Sequence, residues 1–78
     1  MTNVSLDEII KVVSLQLGVR EVAGKSLLAE ELGAESADVM NIVAVLEKKY
    51  RIVVKETEIA KIRTPADLLS LVDGKLSR

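Results

Sequence analysis

Apolar residues fall at helical spacing in several stretches of the chain. The most regular begins after Ser36, where Val39, Ile42, Val43, Leu46 and Tyr50 follow at i, i+3, i+4, i+7 and i+11, the spacing of one buried helical face. Nearer the N-terminus, Leu6, Ile9, Ile10, Val13 and Leu17 form a second stripe, with Val12 at its edge and Leu15 off it. Ser5-Leu6-Asp7-Glu8 predicts a capping box at the start of that helix, and Gly18 its end. Toward the C-terminus, Thr64 supplies an N-cap, Pro65 a first helical residue and Asp67 a first-turn acid. The helix they open carries Leu68, Leu69, Leu71 and Val72, and Gly74 is expected to stop it.

The segments between these helices are less regular. From Gly18 to Glu35 the apolar residues Val19, Val22, Leu27, Leu28 and Leu32 are unevenly spaced, which predicts a packed loop with a helical turn around Leu27 to Leu32. Arg51-Ile52-Val53-Val54 is β-branched but has no partner strand in the sequence, so it reads as an extended connector. Glu56 to Ile62 makes a short helix with Ile59 and Ile62 inward. The expected fold is all-α: a small four-helix bundle of three main helices and one short one, in a single domain over residues 1–78.

Composition narrows the chemistry. A chain of 78 residues has no room for a separate catalytic domain, and it contains neither cysteine nor histidine. It therefore has no thiol nucleophile, no side chain that titrates near neutral pH unperturbed, and no soft metal ligand. Any thioester chemistry needs an imported thiol. No apolar run approaches the roughly 20 residues of a membrane span, Asp7 and Glu8 interrupt the N-terminal apolar residues where a signal peptide would need them continuous, and no disulfide framework is possible. Those features point to a cytoplasmic protein. Eleven Lys plus Arg against twelve Asp plus Glu give a net charge of −1 without a dense basic patch, which argues against a nucleic-acid binder. Glu30, Glu31, Glu35 and Asp38 could offer oxygen ligands to a hard cation, but they lack binding-loop spacing and read as a solvated edge, so no metal is expected.

Ser36 is the candidate functional residue. Leu32-Gly33-Ala34-Glu35-Ser36-Ala37-Asp38 delivers it to the exposed start of the most regular helix, where unpaired backbone N–H groups and the helix dipole favour a phosphate. Serine is also a common N-cap, and helix capping alone would account for it, with Glu35 as a weaker rival for the cap.

Three segments carry a wider resemblance: Glu31-Leu32-Gly33-Ala34-Glu35-Ser36, Val43-Ala44-Val45-Leu46-Glu47-Lys48-Lys49-Tyr50 and Ile59-Ala60-Lys61-Ile62-Arg63-Thr64-Pro65-Ala66-Asp67-Leu68. Together they resemble the acyl carrier proteins over roughly Leu6 to Val72. In that family an Asp-Ser-Leu motif presents the serine that is esterified with 4′-phosphopantetheine from coenzyme A, and the match puts that role on Ser36. Glu35 replaces the usual Asp and Ala37 the usual Leu, departures that bear on transferase and partner choice.

The resemblance implies a non-catalytic carrier of acyl thioesters for fatty-acid or related lipid and secondary-metabolite biosynthesis. It also implies a phosphopantetheinyl transferase and acyl-transferring and condensing enzymes as partners, and a monomeric shuttle. An acyl chain folded back between the second and third helices would meet Val39, Val43, Leu46, Val54, Ile59, Ile62 and Leu68, residues that also suit a plain core. Carriers of peptidyl, aminoacyl or polyketide units use the same arm, and an unmodified helical adaptor remains the rival outside the class.

On the outer side of the second helix, Ala37, Met40, Asn41, Ala44 and Lys48 point away from the buried stripe, flanked by Asp38, Val45 and Glu47. Glu35, Ala37, Asp38, Met40, Asn41, Ala44, Glu47 and Lys48 make the candidate docking face. The family helix is usually strongly acidic, whereas here Glu35, Asp38 and Glu47 are balanced by Lys48, Lys49 and Arg51. Weak electrostatic steering and a restricted set of partners are the expectation, as for a specialised carrier.

Overall fold

The computed structural model describes residues 4–77. Four helices follow one another, α1 (Leu6–Leu17), α2 (Ser36–Tyr50), α3 (Glu56–Ile59) and α4 (Pro65–Leu76), and no strand occurs among the described residues. Helix α1 packs against both α2 and α4, while α3 lies against α2. None of the helices is long and apolar enough to cross a membrane.

Each boundary has a local cause. Ser5 caps α1, its hydroxyl accepting a bond from the Glu8 N–H at 3.3 Å. The reciprocal half of the expected capping box is replaced, because the Glu8 carboxylate instead takes the Tyr50 hydroxyl of α2. Gly18 ends α1 in the left-handed region (φ 67°), where a side chain would be strained, and its N–H returns to the Ser14 carbonyl at 2.9 Å. Helix α2 ends on Arg51, also left-handed, with φ 55°. The connector after it is extended, as expected, and is held by the Glu47 carboxylate, which accepts the Val54 N–H at 2.9 Å.

Two helix ends differ from the expectation. Helix α3 stops at Ile59 instead of reaching Ile62. Beyond it the bonds tighten to i→i+3 turns (Lys61 N–H to Glu58 carbonyl, 3.2 Å), and the Asp67 carboxylate then captures the Arg63 and Thr64 N–H groups at 2.9 and 3.1 Å to open α4. Helix α4 does not stop at Gly74 but continues to Leu76. A mid-helix glycine costs about 1 kcal/mol relative to alanine, and packing of Leu76 against the core offsets that cost.

The core joins Ile9, Val12 and Val13 of α1, Ile42, Val43, Leu46 and Tyr50 of α2, and Leu68 and Val72 of α4. Val12 is fully part of it, not at its edge. The long connection after α1 adds Leu28 and Ala34. Its helical turn forms where expected, with the Glu31 N–H on the Leu27 carbonyl at 2.9 Å. It is tied to the start of α4 by bonds of 2.9 Å from the Leu28 N–H to the Arg63 carbonyl and from the Ala66 N–H to the Gly24 carbonyl. Loop and helix start thus act as one piece.

Candidate functional site

The loop places Ser36 through three consecutive devices. Gly33 turns the chain with φ 72°, Ala34 is buried and donates its N–H to the Leu28 carbonyl at 2.8 Å, and Glu35 takes the N-cap position of α2. Ser36 is therefore the first helical residue and not the cap, which reverses the order of the two candidates. Capping is provided by Asp38, whose carboxylate accepts the Glu35 N–H at 2.9 Å. The Ser36 side chain is exposed and lies outside that interaction, at the positive end of a 15-residue helix.

A cavity of about 430 Å³ opens beside the serine. Val39 and Met40 of α2 wall it on one side, Glu56, Ile59, Ala60 and Ile62 on the α3 side, and Ala29 and Ala34 of the loop behind, with Glu35 and Ser36 at its edge. Of the residues expected around an acyl chain, Val39, Ile59 and Ile62 do line this space. Val43, Leu46 and Leu68 do not: they are at most 3% exposed and are consumed by the contacts that hold the helices together. Val54 is half-buried against the core, outside the cavity wall. The alanines were not foreseen, because Ala29 and Ala34 enter the wall only through the path of the loop. Their small side chains leave room there.

On the outer face of α2, Ala37, Met40, Asn41, Ala44 and Lys48 are all exposed, as is Glu35. Met40, 55% exposed, belongs to both the cavity and the outer surface. Asp38 and Glu47 are half-buried, and their carboxylates hold backbone N–H groups of Glu35 and Val54. They contribute less to the outer face than the sequence pattern implies. Glu31 is similarly engaged by the Leu27 N–H at 2.8 Å, and no metal-holding cluster of three acidic side chains occurs among the described residues.

An exposed hydroxyl at a helix N-terminus, opening on a largely aliphatic cavity, suits a phosphate ester that bears a flexible arm and an apolar cargo. The chain as a whole is similar to known proteins. The pattern defining the family described as "Phosphopantetheine attachment site" matches residues 7–72. The chain is 37% identical over 70 residues to an acyl carrier protein of Campylobacter fetus subsp. fetus, covering 87% of this chain and 91% of that protein. It is 39% identical over 69 residues to an acyl carrier protein of Wolinella succinogenes, covering 86% and 91%. Among solved structures, an acyl carrier protein of Thermotoga maritima superposes with a TM-score of 0.78 at 28% identity, covering 92% of this chain and 86% of that one.

Proposed function

The chain belongs to the acyl carrier protein family, and we propose that Ser36 is the residue through which it holds its 4′-phosphopantetheine arm. Members of this family are non-catalytic carriers, and the arm is attached covalently from coenzyme A. Once attached, the arm supplies the thiol that this cysteine-free chain lacks, and an acyl group rides on it as a thioester.

The observation that carries the assignment is the placement of an exposed Ser36 at the first position of α2, with the cap made by its neighbours. A phosphopantetheinyl transferase must reach the hydroxyl, and an exposed side chain allows that. The helix dipole then favours the phosphate formed. Gly33 and the buried Ala34 hold the loop so that the serine faces both solvent and cavity.

For cargo, the cavity walls of Val39, Ile59, Ile62 and three alanines favour an alkyl chain of the fatty-acyl kind. Partners include a phosphopantetheinyl transferase and acyl-processing enzymes. We assign their docking to Glu35, Ala37, Met40, Asn41, Ala44 and Lys48, with Asp38 and Glu47 in supporting positions. The mixed charge of α2 supports a specialised carrier serving a restricted set of acyl-transferring and condensing enzymes.

The assignment is tested by intact mass after incubation with coenzyme A, Mg²⁺ and a broad-specificity phosphopantetheinyl transferase. The parent is expected to gain one phosphopantetheine and Ser36→Ala none. No gain on a folded parent would return Ser36 to a plain helix position and favour an unmodified adaptor.

A further inference from the structure

Met40 is the one sulfur-bearing side chain among the described residues, in a chain without cysteine. It follows Ser36 by one turn of α2, and helical side chains lean toward the N-terminus, so it reaches back over the serine's turn. The side chain is 55% exposed and also walls the cavity beside Ser36. On the exposed face of α2 its apolar neighbours are only Ala37 and Ala44, so its thioether is the largest apolar group there and is open to a dissolved oxidant.

The same sulfur governs access to the serine. An enzyme whose active site closes over the Ser36 hydroxyl must also cover Met40, and a thioether suits such a contact because it is apolar and flexible. Oxidation to the sulfoxide keeps the carbon chain but makes the group polar and chiral. A partner surface shaped for a thioether offers the new oxygen no hydrogen-bond donor, and burying an unpaired acceptor opposes docking.

We propose that Met40 is a reversible oxidation site that slows partner access to Ser36. The oxidant is a peroxide. The Met40 sulfur gives up two electrons and bonds to one peroxide oxygen, the O–O bond breaks, and the second oxygen leaves as water with both peroxide protons. Before the arm is attached, no thiol in the chain competes for the oxidant. The change is reversed by the methionine sulfoxide reductases, one for each sulfoxide epimer. The consequence for access rests on the reading that Ser36 carries the arm.

The test treats the protein lacking its arm with hydrogen peroxide, removes the peroxide and locates the added oxygen by fragment mass spectrometry. Treated and untreated proteins are then compared in kcat/KM for phosphopantetheine transfer from coenzyme A by a broad-specificity transferase with Mg²⁺. Met40 is expected to gain one oxygen while helical circular dichroism is unchanged, and kcat/KM to fall by about fivefold. Treatment with both reductases is expected to restore the rate. Met40→Leu is expected to show the same rate before and after peroxide, whatever its starting value, and Met40→Gln to be slow without peroxide. Met40 left unoxidised while free methionine in the same solution is converted would overturn the proposal. Equal rates for oxidised and untreated parent, an equal proportional loss in Met40→Leu, or a loss of helical signal that accounts for the slower rate would do so too. No transfer to the untreated parent would overturn the reading of Ser36 and the proposal with it, an outcome the untreated sample separates from the others.

Discussion

The Tyr50 hydroxyl donates a hydrogen bond to the Glu8 carboxylate, joining the last residue of α2 to the first turn of α1. It is a polar clasp at the end of an otherwise aliphatic core, since Tyr50 is the chain's one aromatic residue. Burial, then the bond to Glu8 and its negative charge, push the Tyr50 phenol from its ordinary value near 10 up to about 12. The folded state thus holds this proton more tightly than the unfolded chain. The contribution is fully present below pH 10 and is lost as pH rises toward 12. Tyr50→Phe is expected to lower stability by about 1 kcal/mol at neutral pH and to remove this part of the alkaline decline. Denaturant melts of both proteins across that range check it, because the two differ only in this hydroxyl.

Lys75→Met and Glu58→Gln test the tie between α3 and α4. The Lys55 backbone N–H first, and Lys75 second, hold the Glu58 carboxyl below its usual value. A lowered folded value means that the contribution is present above the ordinary glutamate range and disappears as pH falls through the folded value. Parent and Glu58→Gln should therefore differ in thermal midpoint at neutral pH and converge in acid. For Lys75→Met, faster amide exchange confined to α3 and the following turn is expected, because that short helix buries no residue of its own.

Gly18 and Gly74 should respond to alanine with opposite signs. Gly18 sits at φ 67°, where a side chain is strained, so Gly18→Ala is expected to cost about 1 kcal/mol. Gly74 lies inside α4 with open space where a Cβ would stand, so Gly74→Ala is expected to stabilise by about 0.5–1 kcal/mol. Thermal melts of the two variants measure both.

That pair also shows where the sequence could be read and where it could not. Both glycines follow apolar stripes and both look like helix stops. Which one ends its helix depends on whether a later residue is buried, and Leu76 packs on the core beyond Gly74. The regular stripes and the Thr64-Pro65 start were legible because spacing and capping are local properties. The cavity was legible only in part. Val39 and Val43 share one helical face, yet the first borders the cavity and the second is 3% exposed, a difference set by how α3 and the loop pack over α2. The Glu8 and Glu47 carboxylates likewise find partners 42 and 7 residues away, Tyr50 and the Val54 N–H, which a local pattern does not reveal.

Leu28 ties the long loop to the core although it belongs to no helix. It is 2% exposed, so Leu28→Ala is expected to cost about 2–4 kcal/mol, a large share of the stability of so small a protein. Because Ala34 bonds back to the Leu28 carbonyl, the variant should also loosen the approach to Ser36. A lower thermal midpoint, together with broadened amide signals from residues 33–36, would show both effects.

Lys48 and Lys49 place positive charge in the last turn of α2, at the opposite end from Ser36. Converting both to Glu is expected to change kcat/KM of acyl transfer with cognate enzymes by about tenfold at low salt, with the difference shrinking as salt screens it. Steady-state rates at two ionic strengths provide the check. Unchanged rates would remove the charge argument for a restricted partner set.

The most direct measurement of the central claim is fragment mass spectrometry of the protein after phosphopantetheinyl transfer, locating the modified residue among its serines. The account predicts the whole modification on Ser36 and none on Ser5, Ser14, Ser26, Ser70 or Ser77. Modification at any of those positions, or a folded protein that accepts none, would contradict it.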